Sequence, residues 1–354
     1  MVRLKMEIEI DGRKIGDGHP CYFIVDIGSN HDGDIDRAKM LIDLAKESGA
    51  EAVKFQHFNT NKIVSKEGFE GLKSSFQAKW DKPVVEVYRA AEFHRSWTKE
   101  LMNYAKKVGI TFFSSPYDFE AVNILEELNV PAHKIGSGDI TWLESIKYIA
   151  SKGKPVILGT GASTMEEIAE AVETIKSTGN DKLVLLQCVT NYPSSFENAN
   201  VKAMQLLRKR FGTLVGYSDH TPGHVVAMAT VALGGCMIEK HFTDDKNRKG
   251  PDHPFAMDAK EFKEMVGNVR LLEKSLGREV KELYPEEKET VILQRRCIRA
   301  TRDVPAGSIL SKEMLEVLRP APKGTLCPKE MERIIGKAIK VKISKGEAIE
   351  EDFF

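Results

Sequence analysis

Eight short apolar runs follow one another between Cys21 and Phe242, and each has the length and composition of a β-strand. Between most of them lies a segment of helical period, such as the one from Ile35 to Gly49, where the glycine suits a helix C-cap. Another begins at Thr164, an N-cap residue that is followed by acidic residues. This alternation predicts an α/β fold of the (β/α)8 TIM-barrel type. The runs are Cys21–Gly28, Ala52–Gln56, Ile110–Pro116, Ala132–Ser137, Pro155–Thr160, Lys182–Val189, Thr213–Asp219 and Cys236–Phe242.

Three regions stand outside the alternation. Met6–Ile10 and the turn after it predict a small hairpin that closes one end of the barrel. The stretch Asn59–Trp97 follows the second strand and predicts a lid or rim element. Past Gly277 the chain is charged and carries Pro285, which indicates a linker, and short β pieces and turns follow it. We therefore assign 1–280 to the barrel, 281–292 to a linker and 293–354 to a small β-rich domain with a marginal core of its own.

Composition limits the partners and the compartment. The chain has 52 basic and 52 acidic residues, and this balance argues against nucleic acid as a partner. No apolar run reaches the roughly 18 residues that a membrane span needs, and the charged N-terminus is unlike a signal peptide. The cysteines are odd in number and never form a CxxC pair, so we expect reduced thiols in a cytoplasmic protein. They are Cys21, Cys188, Cys236, Cys297 and Cys327.

Polar side chains follow every predicted strand. Because the carboxyl ends of barrel strands share one rim, where barrel enzymes carry their active sites, we expect these groups to lie close together. In chain order they are Asp26 with Asn30 and His31, Lys54 with Gln56, Ser115, Lys134 with Ser137 and Asp139, Thr160, Thr190 with Asn191 and Tyr192, Ser218 with His220, and Lys240 with His241.

The histidines at the ends of the last two strands suggest a metal. His220 and His241 end neighbouring strands of the predicted barrel, and two imidazoles so placed can share one ion and leave positions for water or substrate. The alternative for either histidine alone is a strand cap or a core hydrogen bond. For the pair, which is flanked by Asp219, Glu239, Lys240 and Asp244, we favour a site.

Lys54 and Lys134 lie in the apolar contexts AVKFQ and AHKIGS, where an unpaired ammonium group is costly. A barrel carboxylate could neutralise each lysine. We favour an anion site, in which both lysines and the hydroxyls of nearby serines surround a phosphate. The serines are Ser115, Ser137 and Ser218.

Longer motifs carry a family resemblance. In chain order they are IVDIGSNHDGDIDRAKMLIDLAKESGAEAVKFQ, FFSSPYD, HKIGSGDI, GYSDHTPG, IEKHFTDD and KGPDH. Together they resemble the sialic acid synthase family, and the segment from Arg295 onwards resembles the C-terminal antifreeze-like (SAF) domain of those enzymes. The resemblance implies that phosphoenolpyruvate is condensed with an N-acetylmannosamine-type sugar. It also implies a homodimer in which each small domain docks on the partner's barrel.

The resemblance further implies roles for single residues. His220 and His241 would bind Mn²⁺, or another divalent metal such as Mg²⁺ or Co²⁺. Arg319, in an LRP motif, would reach the sugar site of the partner subunit. The catalytic residues would be Asp26, Lys54, Lys134 and Asp139. The substrate-binding residues would be Gln56, Ser115, Ser137, Thr190, Tyr192, Ser218, Asp252 and Arg319.

Four positions depart from the family pattern. Asp26 and Asp139 each replace a glutamate, so each carboxylate reaches about 1.5 Å less far. Gly159 stands where a phosphate-holding serine is common, and Ala256 also replaces a serine. The sugar therefore stays open among mannosamine-type, legionaminate-type and pseudaminate-type precursors. A 3-deoxy-keto-acid synthase that uses a phosphorylated sugar and a non-catalytic carbohydrate-binding protein are the two other interpretations.

Overall fold

The first of two compact units, Met1–Gly277, is a closed parallel barrel preceded by a hairpin. The computed structural model describes residues 5–71, 77 and 80–354. The first barrel strand pairs with both the second and the eighth, which closes the ring and confirms the TIM-barrel prediction. The hairpin strands are β1 (Glu7–Ile10) and β2 (Arg13–Gly16). The barrel strands are β3 (Tyr22–Asp26), β4 (Ala52–His57), β5 (Thr111–Pro116), β6 (His133–Ile135), β7 (Val156–Gly159), β8 (Leu183–Cys188), β9 (Leu214–Ser218) and β10 (Met237–Thr243), and β11 (Met257–Asp258) adds to β10.

Helices alternate with the strands, as the sequence predicts. The cap predicted at Thr164 is present, because its hydroxyl accepts from the N–H of Glu167 and the Glu167 side chain accepts in return from the N–H of Thr164. The helices are α1 (Ile35–Glu47), α2 (Thr60–Ile63), α3 (Lys66–Glu70), α4 (Val84–Ala91), α5 (Thr98–Val108), α6 (Phe119–Glu127), α7 (Leu143–Ala150), α8 (Met165–Ser177), α9 (Phe196–Ala199), α10 (Lys202–Phe211), α11 (Val225–Ala232) and α12 (Ala259–Leu276).

Side chains alternate along each barrel strand between the barrel interior and the surrounding helices, because the period of a strand is two. At the amino-terminal end the inward residues are apolar, as with Tyr22 and Ile24 on β3 and Met237 on β10. They pack against Ile10 and Ile15 of the hairpin, which therefore closes this end of the barrel as predicted. The next inward position on several strands is polar, and it lies at the carboxyl end.

The predicted lid or rim element between β4 and β5 contains α2, α3 and α4. Residues 72–76 and 78–79 of this stretch lie outside the described residues. The N–H of Thr60 donates to the carboxylate of Glu92, which joins the two ends of the insertion. Arg95 pairs with Asp118 at the N-cap of α6, so the insertion is also fastened to the barrel.

The second unit, Arg278–Phe354, has its own apolar core. Strands β12 (Cys297–Ala300) and β13 (Leu315–Leu318) pair in antiparallel fashion, and short bridges supply further pairing. The predicted linker, 281–292, contains the start of helix α13 (Lys288–Gln294), and a second short helix is α14 (Met331–Ile334). Among the described residues of both units, no helix is long and apolar enough to cross a membrane.

Candidate active site

A cavity of about 630 Å³ opens at the carboxyl ends of the barrel strands. It is lined by every barrel residue for which the family resemblance implied a catalytic, substrate-binding or metal-binding role. They are Asp26, Lys54, Gln56, Ser115, Lys134, Ser137, Asp139, Thr190, Tyr192, Ser218, His220, His241 and Asp252. The strand period explains this convergence, because Asp26 follows Ile24 by two residues on β3 and Lys54 follows Ala52 by two on β4.

Asp26 lies at the floor of the cavity and is 2 % exposed. Its Oδ2 accepts from Lys54 Nζ at 2.6 Å and from Gln56 Nε2 at 3.0 Å, and it lies 3.4 Å from His241 Nε2. Its Oδ1 accepts from the N–H of Gly28. Burial alone raises the pKa of a carboxyl group, but neighbouring positive charge, chiefly that of Lys54, outweighs burial and lowers the pKa of Asp26 to about 2. Asp26 is therefore an anion near neutral pH.

Glu239 on β10 is a second buried carboxylate, to which sequence reasoning assigned no role beyond flanking the histidines. Its Oε1 accepts from Ser218 Oγ at 3.1 Å and lies 3.4 Å from Lys134 Nζ and 3.8 Å from Lys54 Nζ. Its Oε2 is buried and has no hydrogen-bond partner among the described residues. The spacing could have found it, because a residue two before His241 on one strand faces the same way.

Both lysines are thus neutralised by barrel carboxylates, which is the alternative that the sequence left open. Burial lowers the pKa of Lys54, but Asp26 and Glu239 outweigh burial and raise it. Lys54 therefore stays charged although it is almost fully buried. A bound anion would compete with the two carboxylates for these ammonium groups, so the carboxylates do not exclude an anion site.

The two histidines are neighbours, with ring centroids 5.5 Å apart. His220 Nδ1 lies 2.9 Å from the carbonyl oxygen of Val189, which accepts but cannot donate, so Nδ1 carries the proton and Nε2 presents a lone pair. His241 Nδ1 is buried with no hydrogen-bond partner in the described part of the chain. There, no group of three or more His, Cys, Asp or Glu side chains is arranged to hold a metal ion. The pair therefore suits a metal that takes its other ligands from substrate or water.

Hydroxyl groups surround the lysines. Ser137 Oγ accepts from the N–H of Gly161 at 2.9 Å, and its hydroxyl is also hydrogen-bonded to the thiol of Cys188. A Cβ at Gly159 would lie only 2.7 Å from Ser137 Oγ, so a serine at position 159 would displace this hydroxyl. Ser115 Oγ is buried without a hydrogen-bond partner among the described residues. The glycine that departs from the family pattern is therefore the one that makes room for Ser137.

Aromatic rings form the wall beside the histidines. Tyr192 lies 4.4 Å from His220, and Phe255 lies 5.0 Å from His241, both measured between ring centroids. Asp252 is fixed near them, because its Oδ2 accepts from both the N–H and the hydroxyl of Ser29. Sequence reasoning did not assign Phe255 or Ser29. No spacing in the sequence marks them, because they lie in two segments that are far apart along the chain and meet only in the folded cavity.

Asp139 occupies a different environment in the same cavity. Burial raises its pKa to about 6, and no charge among the described residues offsets the effect. It lies in a short 3-10 helix, Ser137–Asp139, directly after β6. A carboxyl group with this pKa exchanges its proton close to neutral pH.

Four polar residues that the sequence placed at this rim do not line the cavity, which corrects the prediction for Asn30, His31, Thr160 and Asn191. Thr160 donates through Oγ1 to the carbonyl of Leu186. Asn30 donates through Nδ2 to the carbonyl of Phe242. His31 packs edge-on against Phe93 and Trp97, and burial lowers its pKa to about 4. The side chains of Asn30 and His31 stabilise the loop after β3.

The flanking pair Asp219 and Lys240 also lies outside the cavity lining. Asp219 Oδ2 accepts from Lys240 Nζ at 2.8 Å, and Lys240 also donates to the carbonyls of Thr221 and Gly223. Asp219 Oδ1 accepts from the N–H and hydroxyl of Thr221. Arg319, the remaining predicted site residue, is an exposed residue of the second unit, directly after β13.

The chain belongs to the NeuB family, whose profile matches residues 41–281, and a SAF domain matches residues 295–354. It is 39% identical over 294 residues to the N,N'-diacetyllegionaminic acid synthase of Campylobacter jejuni, which covers 82% of this chain and 87% of that protein. It is 35% identical over 351 residues to the N-acetylneuraminate-9-phosphate synthase of Homo sapiens, covering 99% of this chain and 97% of that protein.

A solved structure agrees with this assignment. The N-acetylneuraminic acid (sialic acid) synthetase from Leptospira borgpetersenii, in complex with citrate, superposes with a TM-score of 0.73 at 32% identity. The match covers 82% of this chain and 97% of that one. The resemblance predicted from the motifs is confirmed at the level of the family.

Proposed function

We propose that the protein condenses phosphoenolpyruvate with an acylamino sugar of the mannose type and releases phosphate. One observation carries the proposal: two buried lysines and a pair of neighbouring histidines line a single cavity with Asp26 between them. A volume of about 630 Å³ suits two small polar substrates.

Phosphoenolpyruvate would bind by its charges. Lys54 and Lys134 present ammonium groups that carboxylates already hold in place, and phosphate and carboxylate oxygens are strong acceptors for them. Ser115, Ser137 and Ser218 bring hydroxyls to the same region. Ser115 Oγ, which has no hydrogen-bond partner among the described residues, is a donor that a phosphate would satisfy.

Carbon–carbon bond formation joins C3 of phosphoenolpyruvate to the aldehyde carbon of the open-chain sugar. His220 and His241 would hold Mn²⁺, or Mg²⁺ or Co²⁺, which when bound supplies Lewis-acid polarisation of that aldehyde. The lysines stabilise the phosphate that leaves. The cavity contributes by holding nucleophile and aldehyde together, which makes their encounter effectively unimolecular.

The two aspartates take different parts. Positive charge develops at C2 as the new bond forms, and Asp26 is an anion with which that charge can interact. Its oxygens already accept from Lys54, Gln56 and Gly28, so electrostatic stabilisation suits it better than proton transfer. Asp139, with its pKa of about 6, suits proton exchange with the sugar.

The sugar would be oriented by Gln56, Thr190, Tyr192 and Asp252. Asp252 is rigid because Ser29 donates to it twice. The relatives include synthases of legionaminic acid and of N-acetylneuraminate 9-phosphate, so the sugar can carry further acylamino groups or, as the alternative, a phosphate.

A homodimer would complete the site, with Arg319 of each subunit reaching the sugar in the partner's barrel. Arg319 is exposed in its own unit, and that unit's core is small. Lys134→Ala and Arg319→Ala homodimers should each be nearly inactive. Random mixing should restore about a quarter of wild-type activity, because one of the two sites in each heterodimer is intact. A mixture that stays inactive despite proven subunit exchange would show that Arg319 does not act in trans.

Phosphate release tests the function itself. The protein, phosphoenolpyruvate and Mn²⁺ are assayed with N-acetylmannosamine, its 6-phosphate, and the diacetamido-trideoxy precursors of legionaminate and pseudaminate. We expect stoichiometric phosphate and a nine-carbon 2-keto acid, detected by mass spectrometry, with one class of sugar. Release with none of them would refute the proposal.

A further inference from the structure

We propose that Glu239 holds and orients the water molecule that adds to C2 during turnover. The inference rests on the proposed function and adds to it a residue with no role assigned so far. Its starting point is the oxygen Oε2, which lies in a carboxylate only 4 % exposed and has no hydrogen-bond donor in the described residues. A buried carboxylate oxygen without a donor is costly, and a ligand that donates would remove that cost.

Oε2 lies next to the anion site. The other oxygen of the same carboxylate accepts from Ser218 and lies within 3.4 Å of Lys134 and 3.8 Å of Lys54. Phosphoenolpyruvate held by these lysines must therefore lie against Glu239. Fully ionised phosphoenolpyruvate has no proton to donate. The sugar hydroxyls have acceptors of their own in Gln56 and Asp252, which line the same cavity. We therefore assign the donor at Oε2 to water.

Asp26 is less suited to the same task. Both of its oxygens accept hydrogen bonds from the protein, from Gly28 at Oδ1 and from Lys54 and Gln56 at Oδ2. Glu239 instead uses one oxygen for its neighbours and leaves the other for a ligand. The two carboxylates thus divide the work, with Asp26 stabilising charge at C2 and Glu239 placing the water.

The reaction balances with one water. The C2–C3 π electrons form the bond to the aldehyde carbon, the water oxygen bonds to C2, and the bond from C2 to the phosphate oxygen breaks with its electron pair leaving on phosphate. Of the two water protons, one ends on the former aldehyde oxygen and the other on hydrogen phosphate. The products are the 2-keto acid and phosphate.

Glu239→Gln tests the role. The amide keeps the shape and an oxygen for Ser218, but it replaces the acceptor Oε2 with a donor. We expect kcat to fall by roughly 100-fold or more while KM for phosphoenolpyruvate stays close to that of the wild type. Asp219→Asn is the matched control, because it makes the same change in a buried carboxylate at the end of the neighbouring strand that does not line the cavity.

Each other outcome overturns the inference. If Glu239 only balances charge, KM for phosphoenolpyruvate should fall with kcat unchanged. The substitution removes a negative charge that competes with phosphoenolpyruvate for the two lysines. If Glu239 only positions the lysines, KM for phosphoenolpyruvate should rise with kcat unchanged.

A second variant and a wild-type control cover the cases in which Glu239→Gln does not fold or the wild type is inactive. If Glu239→Gln does not fold, Glu239→Asp keeps the charge and withdraws the acceptor by about 1.5 Å. Its kcat should then fall at least roughly tenfold at an unchanged KM, and a wild-type kcat would refute the role. Wild-type protein that releases no phosphate with any sugar refutes the proposed function instead, which separates the two failures.

Discussion

Two buried carboxylate–lysine clusters use neighbouring residues of β10, and they differ in how many of their hydrogen bonds the protein itself makes. The outer cluster pairs Lys240 of β10 with Asp219 after β9, and the inner cluster pairs Glu239 of β10 with Lys134 of β6. In the outer cluster, Lys240 donates to Asp219 and to two carbonyls, and both oxygens of Asp219 accept. In the inner cluster, Lys134 lies 3.4 Å from Glu239, whose second oxygen has no partner among the described residues.

The difference separates support from function. A buried ion pair with every hydrogen bond made inside the protein holds two strand ends together and offers nothing to a ligand. A buried cluster in the wall of a cavity that has an acceptor without a donor keeps bonding capacity for substrates. The same residue types thus take different roles because successive side chains on a strand face opposite sides.

The largest effect on turnover should come from removing the metal. This tests whether the cavity that contains the inner cluster needs a metal ion for activity. Dialysis against a chelator should lower turnover by at least about 100-fold, because the Lewis acid supplies several kcal/mol of stabilisation in the transition state. Added Mn²⁺ should restore it, and His220→Ala should lose activity without a large drop in melting temperature. Unchanged turnover after complete metal removal would contradict the metal site.

Asp26→Asn should have the next largest effect on activity. The substitution keeps the shape and removes the charge that we expect to stabilise C2. We expect kcat to fall by roughly 100-fold, with little change in KM for either substrate. Steady-state kinetics measure this, and a raised KM with a normal kcat would show that Asp26 only positions a substrate.

Asp219→Asn should act on stability instead of chemistry. The amide weakens a buried ion pair, and we expect the free energy of unfolding to fall by about 3 kcal/mol. The kcat of the folded enzyme should not change. Denaturant unfolding measures the stability, and steady-state kinetics measure kcat. A lower kcat with normal stability would contradict the assignment of the outer cluster to support of the fold.

Asp139 extends the comparison to a buried carboxylate whose pKa is raised and which has no offsetting lysine among the described residues. Its pKa is about 6 in the folded protein against an ordinary value of 3.8, so the folded state disfavours its charged form. The cost is absent below pH 3.8, grows as the pH rises and is complete above pH 6. Asp139→Asn should therefore raise the free energy of unfolding by about 1–3 kcal/mol at pH 8 and leave it unchanged near pH 3.5. Equal stabilisation at both pH values would contradict the raised pKa.

The fold and most of the site were predictable from sequence because both follow short-range rules. Each apolar run became a strand, and polar residues at strand ends such as Lys54 and His241 met at one rim. Glu239 could have been found from its two-residue spacing to His241. Ser29 could not, because its bond to Asp252 joins positions 223 residues apart.

Sequence proximity misled in two places. Asn30 and His31 lie only a few residues after Asp26, at the same end of β3. Their side chains nevertheless point away from the cavity, to the carbonyl of Phe242 and to the ring of Phe93. Lys240 stands beside His241 but faces the other way, toward Asp219. In both cases the direction of the side chain, and not its distance along the chain from the rim, decides its role.

Binding of phosphoenolpyruvate tests most directly whether the inner cluster is a ligand site and the outer one a support. Isothermal titration in the presence of Mn²⁺ compares wild type, Lys134→Ala and Asp219→Asn, with thermal melting to confirm folding. We predict that Lys134→Ala weakens binding by roughly 10- to 100-fold, because one charge-assisted contact is lost, and that Asp219→Asn binds as the wild type does. Equal affinities for wild type and Lys134→Ala, or no binding to the wild type, would contradict the account.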